Sequence, residues 1–428
     1  MQHFQELNLS QNEREKRVYR QDSRAIAALQ DAGSQSGQAS PHRSPQRLGA
    51  RTPPGAALDK STSIASARGQ LDESTGELKS VVDATLKWQL QAVARLALGV
   101  KHRLRICYRH TRPDWSEVQV RGAEDRRAYY AGLMTCGSVW VCPVCATKIQ
   151  SVRASEVRRG IDAWAGVVLL LTLTVPHTRQ DDLGALLGCF NDAYRRFTAG
   201  RAYKSLKGLY RLSGSVRALE VTYSDINGWH PHAHVLLFLE QPCDLEGLAG
   251  GLFERWQSAT RRAGFGELSR SAFSLQDGSA VRTYVTKMGQ EYLWGAEHEL
   301  VKSHTKRGRG AARFTPFDFL RAYLLEPDEG RLLYLFGEFA AVFHGRNQLV
   351  WSRGFKRSLI GSDGLTDEQV ADSIGELDPV LASISLGDWW LVRRGNLQAQ
   401  VLQVVQDFGR EGLKHLLEHH RGISQLSA

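Results

Sequence analysis

The segment 228–240, GWHPHAHVLLFLE, constrains this chain more than any other. His230, His232 and His234 alternate with Pro231, Ala233 and Val235. A strand has a side-chain period of two, so all three imidazoles share one face. The apolar run VLLFL that follows anchors the same strand in a core. Two imidazoles at i and i+2 on a rigid strand can hold one divalent cation side by side. Other coordination positions stay open for water and phosphate oxygens, which suits a metal that polarises a scissile phosphate. The competing reading is a solvated strand end with a chance cluster. Three of the chain's 14 histidines within five residues weigh against it.

The preceding stretch, SVRALEVTY (215–223), reads as a strand carrying Glu220, and SDING (224–228) has turn chemistry. If the turn centres near residue 226, Glu220 lies opposite His232 on the same face and adds a hard oxygen ligand. A tight turn on Asn227–Gly228 would shift the register by one and send Glu220 to the other face.

Length and charge set the frame around this hairpin. The 428 residues allow two or three domains. Lys and Arg number 55 against 45 Asp and Glu, a net charge of +10 that favours a polyanionic partner. The most apolar run, AWAGVVLLLTLTV (163–175), is about 13 residues, short of the roughly 20 that a spanning helix needs. It is rich in Val, Leu and Thr and ends at Pro176, so it reads as a buried strand. The charged N-terminus does not look like a signal peptide, and a cytoplasmic location with no membrane partner is expected.

Residues 1–80 read as a polar, disordered tail. The stretch 32–57 is Ser, Gly, Pro, Gln and Arg with almost no large apolar side chain, too little to offset ordering entropy. A helix plus a cysteine-rich segment is expected over 81–160, a catalytic α+β domain over 161–360, and a small helical module over 361–428. Strands are expected near 167–175, 216–239 and 271–276. Helices are expected near 151–164, 181–207, 244–263, 279–294 and 316–345. The predicted fold class is α+β: a central antiparallel sheet flanked by helices, with the histidine strand central because of its apolar run.

Cys136, Cys142 and Cys145 sit in CGSVWVCPVC, and Cys142 and Cys145 have the spacing of a metal knuckle. Two intervening residues let both sulfurs reach one tetrahedral ion at about 2.3 Å. Cys107 would close a four-cysteine Zn2+ site, with His102 or His110 as substitutes. Ordinary buried thiols and a redox CxxC pair are the competing readings. Cys189 and Cys243 stand alone and read as buried thiols.

In AVRTYVTKMGQE (280–291), Tyr284 and Lys287 are three apart and share a helix face. A tyrosine oxygen near a bound metal can attack a phosphodiester and become joined to DNA. Lys287 and the metal would favour the phenolate. A buried core tyrosine is the competing reading, and the histidine strand decides between them.

Together these residues resemble the rolling-circle replication initiator (Rep) proteins of small bacterial plasmids, within the His-hydrophobic-His (HUH) endonuclease superfamily. LTLTV ending at Pro176 resembles the first motif of that family. GWHPHAHVLLF matches the second, with His232 and His234 as the metal pair and His230 auxiliary. YVTK resembles the third, with Tyr284 as nucleophile, and CGSVWVCPVC matches the cysteine segment. The resemblance covers roughly residues 100–360. It implies a ferredoxin-like core, a catalytic Mg2+ or Mn2+, a structural Zn2+, and binding of a double-strand origin. Tyr284 would nick one strand and leave a 5′-phosphotyrosyl link and a free 3′-OH. A host helicase and polymerase would then extend that end.

The chain departs from the pattern at Ala280, where relatives of one subgroup carry a glutamate that activates water for termination. Glu291 is a substitute acid, and transesterification by the free 3′-OH is another route. Some transposases of the same superfamily carry paired tyrosines, whereas Tyr292 here, eight residues after Tyr284, lacks a matching lysine. A conjugative relaxase places its tyrosine ahead of the histidines. A non-catalytic zinc-dependent DNA-binding regulator is the alternative from another class. A small-molecule metallohydrolase would leave the basic loop 302–313 without a role. In that loop Lys302, Lys306, Arg307, Arg309 and Arg313 are positioned to neutralise phosphates. Trp389 and Trp390 read as core packing or as a surface on which bases stack.

Overall fold

A computed structural model describes residues 86–122, 128–287, 313–327, 330–373 and 378–426. The expectations for 1–80, for 288–294 and for Lys302, Lys306, Arg307 and Arg309 lie outside the described residues. From residue 87 onward the chain forms one compact unit. No helix among the described residues is long and apolar enough to cross a membrane.

The metal-ligand candidates Glu220, His230, His232 and His234 sit on a five-stranded antiparallel sheet. Its strands are β3 (Val167–Thr174), β4 (Leu212–Ser224), β5 (Gly228–Leu239), β6 (Phe273–Gln276) and β7 (Leu349–Trp351). The order across the sheet is β6-β3-β5-β4-β7, so the histidine strand β5 is central, as its apolar run predicts. The hairpin between β4 and β5 closes Ser224 against Gly228 around a three-residue loop, and Glu220 falls opposite His232. The tight two-residue turn, with its one-residue shift, is not the one adopted. Gly228, the residue that closes this loop, has φ +72°, a conformation that glycine adopts without steric cost.

The two faces of this sheet are packed differently. On the histidine face, Leu170, Val216, Leu236 and Phe238 form a core with Val157, Val281 and Phe355. Those last three come from α2 (Pro143–Asp162), α6 (Gly278–Lys287) and α9 (Phe355–Ile360). Gly214 makes the approach of α9 possible, since a Cβ there would lie 2.3 Å from the Phe355 ring. The apolar half of the histidine face is therefore covered by helices, and the His/Glu/Thr half extends beyond them.

The opposite face carries α3 (Leu183–Phe197), α4 (Gly200–Leu209) and α7 (Pro316–Leu325), with α5 (Leu245–Arg262) against α3. Arg217 lies over the Tyr194 ring, and Tyr223 meets Phe319 edge-on at 5.7 Å. Trp256 is fully buried against Phe190 and donates its indole N–H to the Thr174 carbonyl at 3.0 Å. Helix α8 (Gly330–Phe343) follows α7, so the helical stretch expected over 316–345 is two helices. The stretch expected over 181–207 is likewise two, broken at Thr198–Ala199.

A smaller sheet was not expected. It contains β1 (Glu117–Arg121), β2 (Tyr129–Ala131) and β8 (Val380–Ser385) in the order β2-β1-β8. The segment 361–428 is thus not all helix: β8 pairs antiparallel with β1. Helix α10 (Asp367–Asp372) precedes β8, and α11 (Leu386–Arg394) and α12 (Gln398–Leu426) follow it. Trp389 is buried and donates to the Arg109 carbonyl at 3.1 Å, whereas Trp390 is exposed. The Tyr130 hydroxyl donates to the Gln398 carbonyl at 2.8 Å. These bonds seat the C-terminal segment on the cysteine-bearing one, 81–160.

Candidate active site

Helix α2 begins at Pro143, earlier than expected, which places the CxxC pair at its first turn. Cys142 is the N-cap, and its sulfur accepts the Cys145 N–H at 3.4 Å. Pro143 suits the first helical position because its missing N–H would have no helical partner. The helix thereby holds two sulfurs side by side, and the loop before it brings Cys136. Cys107 arrives from a turn after a short 3-10 helix (Arg103–Arg105).

All four thiols are buried, and their sulfurs lie within 4.8 Å of one another. Three of the separations are 3.6 Å (Cys107–Cys145), 3.8 Å (Cys107–Cys142) and 3.8 Å (Cys136–Cys145). A tetrahedral ion with bonds of about 2.3 Å would set edges of about 3.8 Å, so the group fits a metal. Burial pushes the Cys107 thiol well up. Burial would also raise Cys142, but hydrogen bonds from the other three thiols and from the Cys145 N–H carry it well below the usual thiol range. Gln91, from α1 (residues 86–97), donates to Cys142 Sγ at 3.1 Å and to Cys107 Sγ at 3.5 Å. Arg95 donates to the Gln91 side-chain oxygen and orients it. The sequence carried no signal for Gln91. Cys189 is exposed and Cys243 half-buried, contrary to the expectation of buried thiols, because Cys189 falls on the outward side of α3.

The second cluster is on the large sheet. Glu220, His232 and His234 each offer a ligand atom, and these atoms lie within 4.8 Å of one another. Glu220 Oε2 is 3.1 Å from His232 Nε2 and 3.6 Å from His234 Nε2. The other ring nitrogens have separate partners. His232 Nδ1 meets the His230 carbonyl at 3.3 Å, and His234 Nδ1 meets Thr172 Oγ1 at 3.0 Å. An imidazole held at Nδ1 presents Nε2 as its ligand atom. Thr172 and His234 are direct cross-strand partners between β3 and β5. The sequence reading takes LTLTV as a buried strand that resembles the family's first motif but does not single out Thr172, whose role depends on that pairing.

Burial would raise the Glu220 carboxyl, but the His232 hydrogen bond, both imidazoles and the Tyr284 hydroxyl together hold it below the usual carboxylate range. Burial lowers His234, against the pull of Glu220. Both shifts, toward a neutral imidazole at His234 and an ionised carboxylate at Glu220, favour the states that metal ligation requires.

Tyr284 reaches this cluster from α6. Its hydroxyl donates to Glu220 Oε1 at 3.4 Å, and its ring centre is 4.8 Å from that of His234. The same residue packs against the apolar core, so the helix is anchored below while the phenol oxygen points to the ligand group. Lys287 ends α6, and its side chain lies outside the described residues.

His230 is on the same face, yet it is not part of the three-residue ligand group. Its ring stacks on that of His177 at 4.5 Å and 11°. Burial, with help from His232, His177 and Arg313, lowers its pKa to about 3. Arg313 is exposed, next to Phe314, which bridges to Tyr223 at the sheet's β4 edge.

Comparison with known proteins adds a family. A family model described as "Replication protein" matches residues 131–243, which include Cys136, Cys142, Cys145, Glu220, His232 and His234. "Protein rep" of Streptomyces lividans is 26% identical over 317 residues, spanning 59% of this chain and 68% of that protein. "Neomycin resistance protein" of Streptomyces cyanogenus is 26% identical over 234 residues, spanning 46% of this chain and about half (53%) of that relative's length. No solved structure matches the chain. The matched stretch holds Glu220, His232 and His234 and three of the four clustered cysteines, Cys107 lying before it, and together these similarities support a likeness to plasmid replication (Rep) proteins.

Proposed function

We propose that this chain initiates rolling-circle replication by binding a double-strand origin and nicking one strand at a site exposed as single-stranded DNA. The observation that carries this reading is the 3.4 Å contact between Tyr284 and a carboxylate that also meets two imidazoles. Attack on a phosphodiester needs a nucleophile held close to the group that activates the phosphate. On this reading the five-stranded sheet is the ferredoxin-like core of an HUH endonuclease. The cysteine segment is its zinc knuckle, and residues 361–428 are an accessory module.

Glu220 Oε1 accepts the hydrogen bond of the phenol and so aims its oxygen. Tyr284 Oη then attacks the phosphorus and releases its proton to solvent. As the P–Oη bond forms, the bond from phosphorus to the 3′ oxygen breaks, and that oxygen takes up a proton from solvent and leaves as a 3′-OH. The 5′ end stays on Tyr284. One phosphodiester is exchanged for another, so no external energy source is needed. Held by His232, His234 and Glu220, a divalent cation such as Mg2+ or Mn2+ would supply Lewis-acid polarisation of the phosphate. A Zn2+ on Cys107, Cys136, Cys142 and Cys145 would stabilise the fold. Lys287 would favour the phenolate, and Lys302, Lys306, Arg307, Arg309 and Arg313 would bind the DNA backbone. With Ala280 one turn before the tyrosine, a strand-transfer reaction of the free 3′-OH on the phosphotyrosyl bond ends the cycle. A host polymerase and helicase carry the intervening synthesis.

The test incubates the full chain with a single-stranded origin oligonucleotide and Mn2+. A covalent adduct that survives denaturing gels, maps to Tyr284, and is lost with Tyr284→Phe or chelator supports the proposal. No adduct with any origin oligonucleotide overturns it in favour of a non-catalytic DNA-binding regulator.

A further inference from the structure

The aromatic rings on the open half of the sheet form a row. Starting at α6, Tyr284 meets His234 at 4.8 Å, His234 meets His232 at 5.2 Å, and His232 meets His230 at 5.3 Å. The row then leaves the sheet: His230 stacks on His177, which belongs to the loop after β3. The first three members are accounted for by the nucleophile and the ligand group. The outermost pair is not.

The stacking geometry excludes a second chelating pair. The lone pairs of an imidazole lie in the plane of its ring. In two rings stacked at 4.5 Å and 11° those lone pairs run nearly parallel and do not converge on one ion. What such a pair offers is a flat π surface. His177 is held in place for that purpose, with Nδ1 on the Val175 carbonyl at 3.1 Å. Its loop is braced by the hairpin, since Gly228 lies so close that a Cβ would stand 2.8 Å from Arg179 Cα. His177 is half-exposed, and its neighbours Pro176, Thr178, Arg179 and Gln180 are exposed.

We infer that the His177–His230 stack is a nucleobase platform for the nucleotide next to the scissile phosphate. This inference rests on the nicking reading above. A single strand whose phosphate sits at Glu220, His232 and His234 has its neighbouring base within two ring contacts of His232. Stacking on the outer face of His177 would hold that base unpaired. Base–aromatic stacking is sequence-tolerant because every base has a π face, so the platform sets position rather than sequence. His230 is thereby the support of His177 and not an auxiliary metal ligand.

The experiment measures equilibrium binding of a fluorescein-labelled single-stranded origin oligonucleotide to full-length Tyr284→Phe protein, which cannot form the adduct. The oligonucleotide is used intact and with an abasic sugar at each position flanking the nick. His177→Ala is expected to weaken binding of the intact strand about tenfold. One abasic position should weaken the Tyr284→Phe parent similarly but add no further loss in the His177→Ala protein. His177→Phe should restore binding, and Mn2+ affinity should be unchanged in both variants. Losses that multiply, or unchanged binding in His177→Ala, overturn the platform. If the Tyr284 protein nicks DNA and His177→Ala binds normally, only this inference fails. If the Tyr284 protein nicks nothing, the nicking reading itself fails.

Discussion

Tyr284 and Glu220 are 64 residues apart in sequence, and the phenol hydroxyl of one donates to the carboxylate of the other at 3.4 Å. The second oxygen of that carboxylate faces His232 and His234. One side chain therefore links the nucleophile candidate to the ligand candidates. Tyr284→Phe is expected to abolish the DNA adduct while Mn2+ binding stays within about twofold, because the phenol is not a ligand. Glu220→Gln keeps the shape but removes the charge, and is expected to weaken Mn2+ binding by more than about tenfold. Titration calorimetry with Mn2+ separates the two.

Thr172 is expected to matter for the metal without touching it. Its hydroxyl holds His234 Nδ1 at 3.0 Å and so fixes which nitrogen faces the cluster. Outer partners of this kind typically contribute 10–100-fold in metal affinity. Thr172→Val should lose roughly that factor in a Mn2+ titration, and Thr172→Ser should retain most of it. Equal affinity in Thr172→Val would show that ring packing alone orients His234.

The cysteine cluster is expected to be a stability element. Replacing one sulfur by Cys142→Ser should lower the metal content of purified protein and lower Tm by roughly 10 °C, the size of several kcal/mol in a domain like this. Strong chelation of the wild type should produce a similar shift. Zinc measured by atomic absorption, together with a thermal melt, reads both. A full-length protein whose Tm ignores chelator would point to ordinary buried thiols.

Glu156 on α2 is nearly buried and pairs with Lys356 on α9 at 2.8 Å and with Arg153 at 3.0 Å. Arg153 in turn pairs with Asp367 on α10 at 2.7 Å. Glu156→Ala would leave the Lys356 ammonium, itself 8 % exposed, without that partner in the interior. A loss of about 3–5 kcal/mol is expected in urea unfolding. The double variant Glu156→Ala with Lys356→Met should recover part of it.

Gly228 couples the hairpin to the loop that carries His177. Alanine there meets both a positive φ and a backbone contact of 2.8 Å, so Gly228→Ala should cost about 1–3 kcal/mol. Because the contact lies beside the row of rings, nicking should fall with stability. A melt combined with an oligonucleotide nicking assay tests this, and an unchanged Tm would contradict the close approach.

Much of this site was legible before any fold was known. The period-two spacing of His230, His232 and His234 put them on one face, since alternation is a property of any strand. The register that aligns Glu220 with His232 was legible only as a choice between two turns. The pairing of Thr172 with His234 needed β3 to lie beside β5, and sequence periodicity does not say which strands are neighbours. The small sheet was missed for a similar reason. Its strands are three to six residues long, and β8 comes from a segment more than 250 residues beyond β1.

The chemistry available to the chain follows from local sequence alone. That sequence supplied two imidazoles and a carboxylate on adjoining strands, a cysteine knuckle, and a tyrosine on an amphipathic helix, because local spacing dictates which side chains share a face. Which of them meet depends on long-range packing. Packing α6 on the core residues Leu170 and Leu236 carried Tyr284 to Glu220, and the fold of the β3 loop turned His230 toward His177. Contacts between distant segments depend on how whole faces bury their apolar area, a quantity that no short stretch of sequence contains.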